Sequence, residues 1–110
     1  MTAEDILVLA GKLNSDGTLS GADLEGYINV ILDALAVHIE RDRIRKGLWK
    51  EYHAEDQVEV IRYKADRMRR SLEILAVDGE DEEAQKAAII EECHDIINYA
   101  TFTVRLLESK

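Results

Sequence analysis

Acidic residues gather in one stretch near the C-terminal end of the sequence, from Ile89 to Ala100. If this stretch is helical, Glu91 and Asp95 lie one turn apart and Glu92 precedes Asp95 by three residues, so the three carboxylates lie beside a row of large aliphatic side chains. Like charges at this spacing repel each other by roughly 0.2–0.5 kcal/mol per exposed pair unless a cation lies between them. The pattern therefore raises the question whether other parts of the chain supply partners for these acids.

A second acidic group stands at the start of the preceding predicted helix. There Glu55 and Glu59 are one turn apart, while Asp66 lies further along the same helix, where antiparallel pairing would bring it closer to Glu92 and Asp95. Carboxylate oxygens are the ligands that Mg²⁺ and Mn²⁺ prefer, so either set could complete a site for a divalent cation. The competing interpretation is that these acids form solvated helix faces.

Basic residues occur near both acidic groups and could bind phosphate through arginine forks or a lysine point charge. The alternative for most of them is a surface ion pair. One group precedes the predicted third helix and the other lies along it: Arg41, Arg43, Arg45, Lys46 and Lys50, then Lys64, Arg67, Arg69 and Arg70.

Three segments together resemble the MazG-like all-α nucleoside triphosphate pyrophosphohydrolases, and look most like the small phage-encoded branch linked to nucleotide modification. They are Gly47 to Tyr52 (GLWKEY), Lys64 to Arg67 (KADR) and Glu92 to Ala100 (ECHDIINYA). The family pattern is an acidic E-E-x-x-E on one helix and E-x-x-D on the next. Here Glu55-Asp56-x-x-Glu59 stands for the first motif, with aspartate in place of a glutamate, and Glu92-x-x-Asp95 for the second.

The resemblance implies a Mg²⁺-dependent enzyme that converts a nucleoside triphosphate to the monophosphate and pyrophosphate, or a nucleotide-binding relative that has lost this activity. In that family the metal binds the triphosphate and activates a water molecule. The implied metal ligands are Glu55, Glu59, Glu92 and Asp95, and the implied catalytic residues are Glu59, Glu92 and Asp95. The implied substrate contacts are Lys64 and Arg67 for the phosphates, Asn98 for the sugar or a metal-bound water, and Trp49 or Tyr52 for the base.

Composition predicts one helical, globular domain. The 110 residues include no proline and six glycines, with 46 % hydrophobic and 34 % charged residues, which favours long uninterrupted helices. The single cysteine cannot form an internal disulfide and, without an apolar run of about 18 residues, a cytoplasmic protein is expected. The net charge of −9 argues against a nucleic acid partner, because binding to a phosphate backbone needs a basic surface.

Periodicity predicts an all-α bundle of three long helices, 22–46, 54–77 and 81–108, preceded by a short helix and a capped turn within 1–20. Apolar residues recur every three or four positions in the last two long helices, which are expected to pack antiparallel because their link is short. The stretch from Tyr27 to Ile39 is apolar on more than one face. It therefore predicts a homodimer or homotetramer.

A function of another class stays open beside the enzyme. A small, acidic, helical protein can act as a non-catalytic interaction module, such as a phage-encoded inhibitor whose negative surface occupies a basic site of a host protein. Convergence of the four predicted carboxylates over an open pocket would favour the enzyme, whereas carboxylates that point to solvent would favour the interaction module.

Overall fold

The computed structural model of the protein describes residues 2, 4–6, 8–9, 21–77 and 81–109, without the side chains of residues 21, 22 and 77. These residues form α1 (Gly21–Arg45), a 3₁₀ helix (Leu48–Glu51), α2 (Ala54–Val77) and α3 (Glu82–Glu108). The all-α prediction is confirmed, and the long helices begin and end within one residue of the predicted bounds. None of the helices in these ranges is long and apolar enough to cross a membrane.

The chain divides into two compact units, Met1–Leu32 and Asp33–Lys110. In the first unit, Thr2 and Asp5 form a reciprocal capping box, in which the Thr2 N–H donates to Asp5 Oδ2 at 2.8 Å and the Asp5 N–H donates to Thr2 Oγ1 at 3.1 Å. Residues 4–6 and 8–9 are helical, as predicted for a short first helix. The predicted capped turn lies outside the described residues.

The connection after α1 depends on one glycine and one aspartate. Lys46 and Gly47 both have left-handed backbone angles, with φ of 51° and 75°. Glycine adopts this conformation without steric cost, which is why the helix ends here. The Asp42 carboxylate accepts the Gly47 N–H at 2.7 Å, so the last turn of α1 also fixes the start of the 3₁₀ helix.

The start of α2 is capped by a residue of the first predicted acidic motif. The Asp56 carboxylate accepts the His53 N–H at 3.0 Å, and the Asp56 N–H donates back to the His53 carbonyl at 3.0 Å. One turn into the helix, the buried Gln57 side chain donates to the Trp49 carbonyl at 3.4 Å. The 3₁₀ helix and α2 are therefore held together by hydrogen bonds within the protein itself.

Helices α2 and α3 pack closely along their length. The middle of α2 contacts the middle of α3, where Cys93 Sγ lies 3.3 Å from Met68 Sδ, while Ala54 at the start of α2 and Leu107 near the end of α3 line one shallow depression. Contacts in this order are those of an antiparallel helix pair. The antiparallel orientation stays a prediction, which this order supports.

The apolar stripes predicted to join these two helices form part of their contact face, since the stripe residues Met68 and Cys93 are in contact. Other large apolar members of both stripes remain half exposed, and polar side chains also face the neighbouring helices, of which Gln57, Asp95 and Asn98 are buried. Among the described residues, the buried hydrophobic side chains are Ala34 and Phe102. The physical reason is a set of ion pairs between the helices. The half-exposed stripe residues are Val58, Leu72, Ile90, Val104 and Leu107.

Candidate functional site

Five charged side chains form a continuous network between the helices, here called the Lys64 cluster. Lys64 Nζ lies 2.8 Å from Asp95 Oδ2 and 3.3 Å from Glu92 Oε2, and so bridges the two carboxylates. Arg41 Nη1 pairs with Asp95 Oδ1, and Arg67 Nη2 lies 3.1 Å from Glu92 Oε1. Each of the four carboxylate oxygens therefore contacts one cationic nitrogen of the protein.

The centre of the Lys64 cluster is largely removed from water. The Lys64, Glu92 and Asp95 side chains are 16 %, 13 % and 9 % exposed. Burial by itself would lower the pKa of Lys64, but hydrogen bonds and charges from Asp95 and Glu92 outweigh it and raise that pKa above its ordinary value. Burial would likewise raise the pKa of Asp95, but the hydrogen bonds from Lys64 and Arg41 hold it below its ordinary value. Lys64 and Asp95 are therefore both charged at neutral pH.

The predicted metal ligands do not come together in this structure. Glu92 and Asp95 are occupied by the protein's own cations, while Glu55 and Glu59 are exposed on α2 beside a shallow depression that Thr103 also lines. Within the described ranges, no group of three or more histidine, cysteine, aspartate or glutamate residues is placed to hold a metal ion. Mg²⁺ needs oxygen atoms free to enter an octahedral shell. The described side chains therefore do not fit Mg²⁺ or Mn²⁺.

Asp66, the alternative partner for the acids on α3, is also outside the cluster. It is exposed, whereas Lys64 is the α2 residue that faces Glu92 and Asp95. Positions two apart on a helix point in different directions, so the register that brings Lys64 inward turns Asp66 to another side. The acids on α3 thus receive a lysine from α2 rather than a third carboxylate.

A cavity of 660 Å³ lies beside the cluster, between the end of α1, the 3₁₀ helix and the facing parts of α2 and α3. Its aromatic wall centres on Phe102. The Trp49 ring stacks on Phe102 with centroids 4.8 Å apart and planes inclined by 15°, and the His38 and Tyr99 rings contact Phe102 at 4.7 and 5.5 Å. Tyr52 also lines the cavity. This wall offers flat apolar surfaces suited to an aromatic ligand.

Charged side chains of α1 line the same cavity. Arg41 and Arg45 are one turn apart on α1, and both reach the cavity. Arg41 belongs to the Lys64 cluster as well, with a side chain that is 44 % exposed. Of the carboxylates at the cavity, Asp42 and Asp56 accept the backbone hydrogen bonds described above, and Glu59 also lines the wall. The cavity therefore combines aromatic surface with two arginines and three carboxylates.

The structure distributes the predicted substrate residues between two places. Trp49 lies in the cavity, as a base-stacking residue would. Asn98 also lines the cavity, but it is buried and its Nδ2 donates to the Ala34 carbonyl at 2.9 Å, so it fastens α3 to α1. Lys64 and Arg67 lie in the ion-pair cluster instead, where Arg67 is also 5.7 Å from the Tyr63 ring.

Sequence reasoning missed several side chains that shape the cavity. Arg41 and Arg45 appeared only as members of a basic run, although their spacing of one turn was a usable signal. The single phenylalanine carried no signal, since its central position depends on helix packing. The missed residues are His38, Arg41, Arg45, Tyr99 and Phe102.

No family model, curated protein or solved structure matches the chain. The resemblance to MazG-like enzymes thus stays a prediction that rests on the quoted motifs. The fold and the geometry define the molecule as an all-α protein with an aromatic and arginine-lined cavity next to a buried ion-pair cluster.

Proposed function

We propose that the protein binds a nucleotide in the 660 Å³ cavity. The observation that carries this proposal is that one cavity contains both an aromatic wall and a pair of arginines. A nucleotide needs both kinds of surface, because its base is a flat aromatic ring and its phosphates are anions. The volume lies within the range of about 300–1,000 Å³ that is usual for small-molecule sites.

In this proposal each part of the ligand has a chemical counterpart. The base packs against the aromatic wall of Trp49, Tyr52, Tyr99 and Phe102, where stacking contributes roughly 1–3 kcal/mol for a single base. The phosphates contact the guanidinium groups of α1, which bind phosphate through parallel N–H donors. This is the nucleotide-binding half of the function that the sequence predicts.

Hydrolysis of the bound nucleotide is not part of the proposal. The implied reaction depends on a metal held by Glu55, Glu59, Glu92 and Asp95, and the Lys64 cluster uses the oxygens of the last two residues. We therefore propose a nucleotide-binding relative of the pyrophosphohydrolases. Incubation with nucleoside triphosphates and chromatography of the products tests this point, since release of pyrophosphate would restore the enzyme hypothesis.

Binding can be followed through the intrinsic fluorescence of Trp49, the single tryptophan of the chain. Titration with ATP, dATP and the other nucleoside triphosphates is expected to change its emission with a saturable curve. Arg45→Gln removes a cavity cation and should raise the Kd about tenfold, the effect of losing one charge-assisted hydrogen bond of about 1.5 kcal/mol.

Arg43→Gln is the matched control for this titration. Arg43 is also on α1, so its substitution removes the same charge. Its exposed side chain pairs with Glu40 and does not line the cavity. Equal weakening by both substitutions would indicate a general charge effect rather than a site. No saturable response to any nucleotide at millimolar concentration would refute the proposal and favour the acidic interaction module.

We also propose that the protein forms a homodimer or homotetramer through α1. Leu35, Ile39 and Ile44 are 46 %, 60 % and 74 % exposed, and large apolar residues from Tyr27 to Leu32 are exposed as well. Exposed apolar surface of this extent on one helix is typical of an association surface. Light scattering after size-exclusion chromatography should give a multiple of 12.5 kDa, reduced by Ile39→Glu but not by Ile90→Glu on α3.

A further inference from the structure

We propose that Lys64 is a resident cation between Glu92 and Asp95, so that the protein binds its nucleotide without a divalent metal ion. This inference rests on the proposed nucleotide binding and specifies its chemistry. The pattern Glu92-x-x-Asp95 is one that a metal could bridge, and the structure instead places the Lys64 ammonium in contact with both carboxylates, at 3.3 and 2.8 Å.

Every carboxylate oxygen of this pair already contacts a cation of the protein. Lys64 contacts one oxygen of each acid, Arg41 contacts the second oxygen of Asp95, and Arg67 contacts the second oxygen of Glu92. A divalent ion bound to these oxygens would lie next to the Lys64 ammonium in a largely buried place or would have to displace it. Repulsion between the ion and the lysine opposes that exchange.

The Lys64 cluster carries a net positive charge behind the cavity wall, which Arg41 lines. Three cations (Lys64, Arg41 and Arg67) and two anions (Glu92 and Asp95) leave a formal charge of +1. In metal-dependent nucleotide sites the ion offsets the charge of the phosphates. Here the cations at the cavity wall are Arg41 and Arg45, which lie beside the carboxylates of Asp42, Asp56 and Glu59.

Arg41 is the physical link between the Lys64 cluster and the ligand. Arg41 pairs with Asp95 inside the cluster and also lines the cavity. Its guanidinium has five N–H donors, so pairing through Nη1 does not exhaust its capacity to bind a phosphate oxygen. Lys64 does not line the cavity itself; by holding the second oxygen of Asp95 it positions Arg41 and neutralises the acids behind it.

The test compares wild-type protein with and without metal. ATP is titrated in EDTA and in Mg²⁺ with Trp49 fluorescence as the signal, and Mn²⁺ alone is titrated while free Mn²⁺ is measured by electron paramagnetic resonance. We expect ATP dissociation constants that agree within about threefold and no saturable Mn²⁺ binding up to 1 mM. A tenfold or larger gain in ATP affinity with Mg²⁺, or stoichiometric Mn²⁺ binding that Glu92→Gln abolishes, would overturn the inference.

Substitution of Lys64 tests directly whether this lysine supports ATP binding. Lys64→Met should weaken ATP binding in EDTA about tenfold, and Mg²⁺ should restore part of the affinity because a cation is again needed beside the acids. Lys86→Met is the matched control, since Lys86 pairs with Glu82 on the exposed surface of α3 and should leave ATP binding unchanged. Equal ATP affinity of the two variants in EDTA would overturn the role of Lys64.

The two proposals fail in different ways. Loss of ATP binding under every condition refutes the proposed function, while the Mn²⁺ titration still decides whether the acids hold a metal. ATP binding that requires Mg²⁺ refutes the resident cation and leaves nucleotide binding intact. Circular dichroism of each variant, recorded first, shows that it is folded, and the wild-type comparison does not depend on any variant.

Discussion

Replacement of Lys64 by methionine should destabilise the folded protein by about 2 kcal/mol at pH 7. Methionine keeps most of the apolar stem but leaves Glu92 and Asp95 without the ammonium that they share. Removal of one partner of a fully buried ion pair costs about 3–5 kcal/mol. We expect a smaller cost of about 2 kcal/mol here, because Arg41 and Arg67 still contact the acids and are themselves 44 % and 49 % exposed.

Urea unfolding followed by circular dichroism measures this loss. With an m-value of about 1.3 kcal/mol per molar urea for a chain of this size, the midpoint should fall by about 1.5 M. Lys86→Met, which removes a lysine from an exposed pair, should leave the urea midpoint unchanged within experimental error. Similar losses for both variants would refute the view that burial makes the Lys64 cluster important.

The difference in stability between wild type and Lys64→Met should depend on pH. The pKa of Asp95 is lowered in the folded protein, so its contribution to stability is present above the ordinary value of 3.8 and disappears as the pH falls through the lower folded value. The pKa of Lys64 is raised, so its contribution is present below 10.5 and disappears as the pH rises through the higher folded value. The difference between wild type and Lys64→Met should therefore be constant from about pH 5 to 10 and shrink at both ends. A difference that is unchanged at pH 3 would contradict this account.

Two further substitutions test the packing around the cavity. Asn98→Ala should cost about 1.5 kcal/mol in the free energy of unfolding, because the buried hydrogen bond to the Ala34 carbonyl is lost, whereas Thr101→Ala on the exposed side of α3 should cost under about 0.5 kcal/mol. Phe102→Ala should cost about 3 kcal/mol and shift the fluorescence of Trp49 to the red as the stacked ring is removed, and an unshifted spectrum would show that the two rings are not in contact in solution.

Helix content and helix ends were predictable from local chemistry. The absence of proline, the glycine after α1 and the three-four spacing of apolar residues predict the three long helices, and the bounds agree within one residue. The spacing of Thr2 and Asp5 also predicts the capping box that they form, since its partners are three residues apart in the chain. These features depend on residues that are close in sequence, and periodicity detects such relationships well.

The faces of the helices were not predictable in the same way. Apolar spacing alone favours Val58 and Ile90 as packing residues, yet both remain about half exposed while Lys64 and Asp95 turn inward. A buried lysine is costly unless opposite charges are within reach, and those charges come from another helix. Single-helix patterns do not contain that information.

The stretch from Ile89 to Ala100 shows which features the sequence alone determines and which depend on the tertiary structure. Its spacing determined that Glu92 and Asp95 lie together on one helix and need a cation near them. Only the tertiary structure decided that this cation is Lys64, with Arg41 and Arg67, because the partner depends on the register between α2 and α3. A shift of two residues along α2 exchanges Lys64 for Asp66, and local helix chemistry does not distinguish between these alternatives.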